Sequence, residues 1–150
     1  MKNKHTFKSD SRTISFCSVE TAESIVPNRD MALISIRGYG EANDIKYEDW
    51  KHVLKLNFDD ITEEEPAPFK LFTEKQAKQL IKFVHSLPED VRHITVHCWA
   101  GISRSGAVGK FLSGTVYPEC KNDKFDQEYL FYNAYVYNML LKSWKSTQLR

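Results

Sequence analysis

Residues 94–109 read Ile-Thr-Val-His-Cys-Trp-Ala-Gly-Ile-Ser-Arg-Ser-Gly-Ala-Val-Gly. The β-branched run Ile94-Thr95-Val96 is strand-like, the loop after it contains Gly101, and small residues from Gly106 to Gly109 open a helical segment. Cys98 and Arg104 stand at the two ends of that loop, with five residues between them. A loop of this length can curl so that successive backbone N–H groups face inward and hold an anion. The positive end of the following helix dipole is aimed at the same point. Arg104 adds a planar guanidinium of the kind that grips two phosphate oxygens at once. Helix N-termini and nearby cations also favour thiolates, bringing cysteine pKa values into a range of roughly 3.5–7.5. One loop therefore offers both an oxyanion site and a nucleophile. Its substrate-facing residues on this reading are Trp99, Ala100, Gly101, Ile102, Ser103 and Arg104.

The flanking sequence supplies a scaffold. Thr13–Cys17, Met31–Ile36 and Val53–Phe58 are apolar and β-prone, with a short helix-like piece at Val19–Ile25 between the first two. Thr73 and Gln76 form a capping-box pattern, and Ala77, Leu80, Ile81, Val84 and Leu87 follow at helical spacing until Pro88 stops the run. A last helix is predicted over about Gln127 to Trp144, with Leu130, Ala134, Tyr137, Leu141 and Trp144 on one stripe. The resulting order is an α/β one. It predicts a single domain with a mostly parallel central sheet of four to five strands, flanked by helices on both faces. Residues 1–12 read as an N-terminal extension. Ligands of such sheets bind beyond the carboxyl ends of strands, which brings the end of Val53–Phe58 and the end of Ile94–Val96 to one place.

His97-Cys98, five residues, Arg104 and Ser105 together resemble the signature of the cysteine-based protein tyrosine phosphatases. The Ala100-Gly101 and Ser103-Arg104-Ser105 details are most similar to the small dual-specificity branch, including its phage and bacterial members. The resemblance implies a dual-specificity phosphatase-like domain that hydrolyses phosphate monoesters without metal or cofactor, through a cysteinyl-phosphate. It implies a phosphorylated protein or peptide as the partner. Cys98 would be the nucleophile and Arg104 the phosphate clamp. Ser105 would assist the departing thiolate in the second step, and His97 would order the loop. The general acid of the family lies on an earlier loop after an apolar-x-apolar-x pattern. That pattern maps onto Leu56, Phe58 and then Asp60, with Asp59 as the alternative.

Other chemistries fit less well. The formal net charge of +1 provides no broad basic field for nucleic acid. RNA 5′ ends and other non-protein phosphate esters still stand as alternative substrates, and so does a catalytically weak phosphate-binding module. No Gly-Lys-Ser/Thr follows Gly101, which excludes a nucleotide phosphate loop. His97 beside Cys98 has no second Cys/His cluster to complete a zinc site. Three cysteines, Cys17, Cys98 and Cys120, make an odd and unpatterned set, which points to a reducing cytoplasm. The N-terminal residues show no apolar core of a secretory signal, so no leader is expected, and no apolar run approaches spanning length. Cys17 is read as core packing, with redox pairing to Cys98 left open.

Overall fold

The computed structural model describes residues 12–118 and 129–148. Strands β1 (Thr13–Ser18), β2 (Met31–Arg37), β3 (His52–Asn57) and β4 (His93–Cys98) form one four-stranded sheet in the order β1-β4-β2-β3. Every neighbouring pair is parallel. Parallel neighbours need crossovers rather than tight hairpins. These run through α1 (Val19–Ser24), a loop with a 3₁₀ turn (Tyr47–Asp49), and α2 (Glu74–His85). After β4 come α3 (Arg104–Phe111), a π-helical turn (Leu112–Val116) and α4 (Ala134–Gln148). The α/β architecture expected from the element order is present, with four strands, all parallel, among the described residues.

Both faces of the sheet are covered, unequally. Alternate strand residues including Phe16, Ile34, Leu56 and Val96 pack against Leu80 and Val84 of α2, Ala107 and Phe111 of α3, and Leu140 of α4. The opposite face carries a smaller cluster in which Leu33 meets Ala22 of α1 together with Ile45 and Trp50. The capping box of α2 is formed in both directions. Thr73 Oγ1 accepts from Gln76 N–H at 3.1 Å, and Gln76 Oε1 accepts from Thr73 N–H at 3.1 Å.

The last helix differs from expectation. It begins at Ala134, because Asn133 Oδ1 accepts from Val136 N–H at 3.1 Å and so caps it. Its buried residues are Val136, Leu140 and Ser143. Tyr137, Leu141 and Trp144 only flank this core, and Leu130 lies before the helix and is exposed. Gln127 and Cys120 lie outside the described residues, as do residues 1–11. Arg12, counted with the N-terminal extension in the sequence reading, is buried. Its Nε donates to Val91 O at 2.7 Å and its Nη1 to Tyr117 Oη at 2.6 Å. No helix among the described residues is long and apolar enough to cross a membrane.

Candidate active site

β4 sits between β1 and β2, so its carboxyl end opens where α1 and the Gly38–Glu41 loop also begin. Cys98 closes the strand and is 2% exposed. Its Sγ lies 3.1 Å from Ser105 Oγ in a hydrogen bond. In the thiol the sulfur donates; in the thiolate the direction reverses and Ser105 donates to sulfur. Gly101 makes the loop possible. Its φ is +76°, and a Cβ there would come within 2.3 Å of Ser18 N. Only glycine both adopts this conformation without strain and lets the loop seat on the β1–α1 corner. Ser103, at the start of α3, makes no side-chain cap to that helix, its hydroxyl being turned elsewhere.

Arg104 is 4% exposed and held on one edge only. Nη1 donates to Glu41 Oε1 at 3.0 Å and Nη2 to Glu41 Oε2 at 2.9 Å. Nη1 also donates to Phe58 O at 3.0 Å. The Nε–H is buried without a hydrogen-bond partner among the described residues. A buried donor left open in this way costs about 1–3 kcal/mol, and an anion in the loop would satisfy it. Burial alone would lower the guanidinium pKa. The hydrogen bonds and charge of Glu41, with Cys98 and Asp60 behind them, more than offset this and raise it. Glu41 was not singled out from the sequence. Its only signal there is a carboxylate three residues past Gly38, in a loop following a strand.

The two aspartates separate cleanly. Asp59 is buried, and its carboxylate accepts from Tyr39 N–H at 2.8 Å and Lys70 N–H at 2.7 Å, stitching two loops together. Asp60 is exposed and faces the Cys98–Arg104 loop. Its Oδ1 accepts from Ser103 Oγ–H at 2.8 Å and from Asn133 Nδ2–H at 2.8 Å. Asn133 also donates its own N–H to Ser103 O at 3.0 Å. This buried side chain thus ties the Asp60 loop and the Cys98–Arg104 loop to the start of α4. The sequence reading missed Asn133; a cap residue ahead of a helical run was the available signal.

His97 is buried on the other face of β4. Its Nδ1 lies 3.0 Å from Cys98 O, which can only accept, so Nδ1 carries the proton. Nε2 then accepts from Ser35 Oγ–H at 2.6 Å, Ser35 Oγ from Tyr47 O–H at 2.8 Å, and Tyr47 Oη from Asn43 Nδ2–H at 3.0 Å. Burial holds the His97 pKa below the usual 6.5. The bond to Cys98 O opposes that shift, and the Arg104 charge reinforces it.

With the folded value below the unfolded one, an unfolded chain takes up a proton first as pH falls. The stabilisation is therefore full above about 6.5 and is lost as pH drops toward the folded value. Denaturant midpoints of the wild type should fall more steeply from pH 7 to pH 5.5 than those of His97→Asn. The difference in slope is at most about 1.4 kcal/mol per pH unit. Equal slopes would remove His97 as the titrating group.

Cys17 does not face Cys98. It packs with the smaller cluster, whereas Cys98 belongs to the larger one on the opposite side of the sheet. A disulfide between them would need the strands to be rebuilt.

Known structures share this arrangement of elements. The chain aligns over 91% of its length with 99% of a human tyrosine phosphatase-like serine/threonine/tyrosine-interacting protein, at 20% identity and a TM-score of 0.54. It aligns with Tk-PTP in its active form (12% identity, TM-score 0.54, 91% of this chain and 94% of that one). It also aligns with PTPMT1 in complex with PI(5)P (13% identity, TM-score 0.57, 92% and 94%). The fold is that of the cysteine-based phosphatases. The phosphatase fold is thus carried by structure at identities far below those of evident homology. No protein-family model matches the sequence, and no curated protein matches it.

Proposed function

We propose that this chain is a metal-independent phosphate monoester hydrolase of the tyrosine and dual-specificity type, acting on phosphorylated proteins in a reducing cytoplasm. The observation that carries this reading is the open Nε–H of buried Arg104 at the foot of the loop that begins with Cys98. Glu41 and Phe58 O occupy the guanidinium's far edge, so the Nε edge is left to an oxyanion. Cys98 attacks phosphorus as a thiolate, and a P–S bond forms as the P–O bond breaks. Asp60 donates the proton that the leaving oxygen takes up. Water then attacks phosphorus, giving its proton to Asp60, while the P–S electrons return to sulfur with Ser105 donating to it. Arg104 and the loop amides supply the positive charge that the equatorial oxygens need.

The direct test is hydrolysis of p-nitrophenyl phosphate in EDTA under reducing conditions. Turnover is expected, and its absence for this and for phosphotyrosine peptides would overturn the enzymatic reading. It would favour the second one, a phosphate-binding module. That second reading is prompted by the phosphatase-like interacting protein among the similar structures.

Asp60 has Oδ1 fixed by Ser103 and Asn133, so Oδ2 is the oxygen free to carry a proton. Asp60→Asn should slow phenyl or alkyl phosphates by about 10²-fold or more, and p-nitrophenyl phosphate only a few-fold. The nitrophenolate leaves without needing the proton. Equal losses across leaving groups would take the acid role away from Asp60.

A further inference from the structure

Beside the anion loop runs an apolar groove of about 440 Å³ lined by Phe16, Gly101, Ile102, Tyr129 and Phe131. Ile102 is 48% exposed and Phe131 72%, and neighbouring Leu130 is also exposed. Large side chains of this kind, gathered at one rim, mark a surface that another molecule covers. The groove is not separate from the site. Gly101 and Ile102 belong to the Cys98–Arg104 loop itself, and Tyr129 O–H donates to Ile102 O at 2.5 Å. The Tyr129 ring stands edge-on to Phe16 at 5.3 Å and to Phe131 at 6.0 Å. Burial raises the Tyr129 pKa, with a smaller electrostatic contribution from Cys98.

The opposite flank of the loop differs in character. There Trp99 and Ala100 share a depression with Glu20 and Glu23. Among the described residues, no lysine or arginine lines either flank. A ligand carrying several phosphates would meet carboxylates there, and nothing in the apolar groove would offset them. A peptide with one phosphorylated residue presents a single dianion to Arg104 and can offer an uncharged side chain to the groove. In an extended peptide each residue advances about 3.3 Å, so neighbours one or two positions away fall beside the loop.

We propose that the groove of Phe16, Ile102, Tyr129 and Phe131 is a specificity subsite for one apolar side chain, lying one or two residues from the phosphorylated residue of a peptide substrate. The proposal rests on the phosphatase reading above, and its test separates the two.

Phosphotyrosine peptides that are all glycine around the phosphoresidue are compared with the same peptides carrying one leucine at each flanking position in turn. Wild type and Phe131→Ser are assayed in parallel, with p-nitrophenyl phosphate as a folding and activity reference for each. At one position leucine should raise kcat/KM about tenfold over glycine in the wild type, as expected for partly burying such a side chain. In Phe131→Ser that ratio should fall toward one. The same leucine-to-glycine ratio in both proteins would overturn the subsite. So would faster hydrolysis of PI(5)P in phosphatidylcholine vesicles than of the best peptide, if Phe131→Ser removed it, because the groove would then serve a lipid. If neither p-nitrophenyl phosphate nor any peptide is turned over, the phosphatase reading fails alone. The subsite is then decided by peptide affinities, where a leucine preference lost in Phe131→Ser supports it and no preference overturns it.

Discussion

Cys98→Ser should reduce kcat by about 10⁴-fold or more, the scale seen when a covalent nucleophile is removed, while phosphate and phosphopeptide still bind. The substitution changes one buried atom. Arg104 keeps Glu41, the loop keeps Gly101 at its positive φ, and Ser105 keeps a hydrogen-bonding neighbour. The loss is one of chemistry. A serine hydroxyl is not ionised at neutral pH, and among the described residues the side chain hydrogen-bonded at position 98 is Ser105, which is no general base. His97, the adjacent residue in sequence, points to the other face of the sheet and donates its Nδ1 proton to a carbonyl. Stopped-flow turnover and calorimetric binding of a phosphopeptide measure the two halves separately. Retained turnover would place the nucleophile elsewhere. Loss of binding as well would mean that the sulfur itself holds the loop open.

The second large effect is expected at Arg104→Lys, with kcat/KM lower by about 10³-fold, equivalent to roughly 4 kcal/mol of transition-state stabilisation. Lysine retains the charge but not the shape. The guanidinium serves Glu41 with two nitrogens and Phe58 O with one, while the Nε–H has no partner among the described residues. An ammonium has three donors at a single point and cannot span both jobs. The Glu41 carboxylate would then lose half of its fork in a partly buried setting, so thermal stability should fall as well. Glu41→Gln separates the two contributions, since it loosens the clamp without removing it. Near-wild-type kinetics for Arg104→Lys would show that phosphate is held by the backbone amides alone.

What could be read in advance follows from distance along the chain. The α2 capping box involves residues three apart, and the Cys98–Arg104 loop is a single short segment; both are local and were legible. Sheet order was not, because β4 inserts between β1 and β2 through pairings that no local pattern encodes. Glu41 and Asn133 escaped notice for the same reason. They meet their partners across 63 and 73 residues, and neither carries a motif. The start of α4 was misplaced because the run of aromatic residues before Asn133 imitates a helical stripe. Only the cap distinguishes them. A stripe starting at Leu130 rather than set by Val136 turns the helix by about one residue, or 100°. Between Asp59 and Asp60 the sequence pattern favoured the second, but what separates them physically is burial. Asp59 is consumed by two backbone N–H groups, whereas Asp60 is exposed and accepts from Ser103 and Asn133 through Oδ1.

The central seat of β4 also governs when the Cys98–Arg104 loop can be assembled. A growing polypeptide makes β1 and β2 first, yet the two are not neighbours in the finished sheet; the berth between them stays empty until the strand ending in Cys98 arrives. Until that berth is filled, the curl around Gly101 has no β1–α1 corner to lean on, and Arg104 has no Glu41 to orient it. The proposed site is therefore a property of the completed sheet and of no fragment. On the proposed reading, the nucleophile would be assembled only together with the pocket that restricts what can reach it.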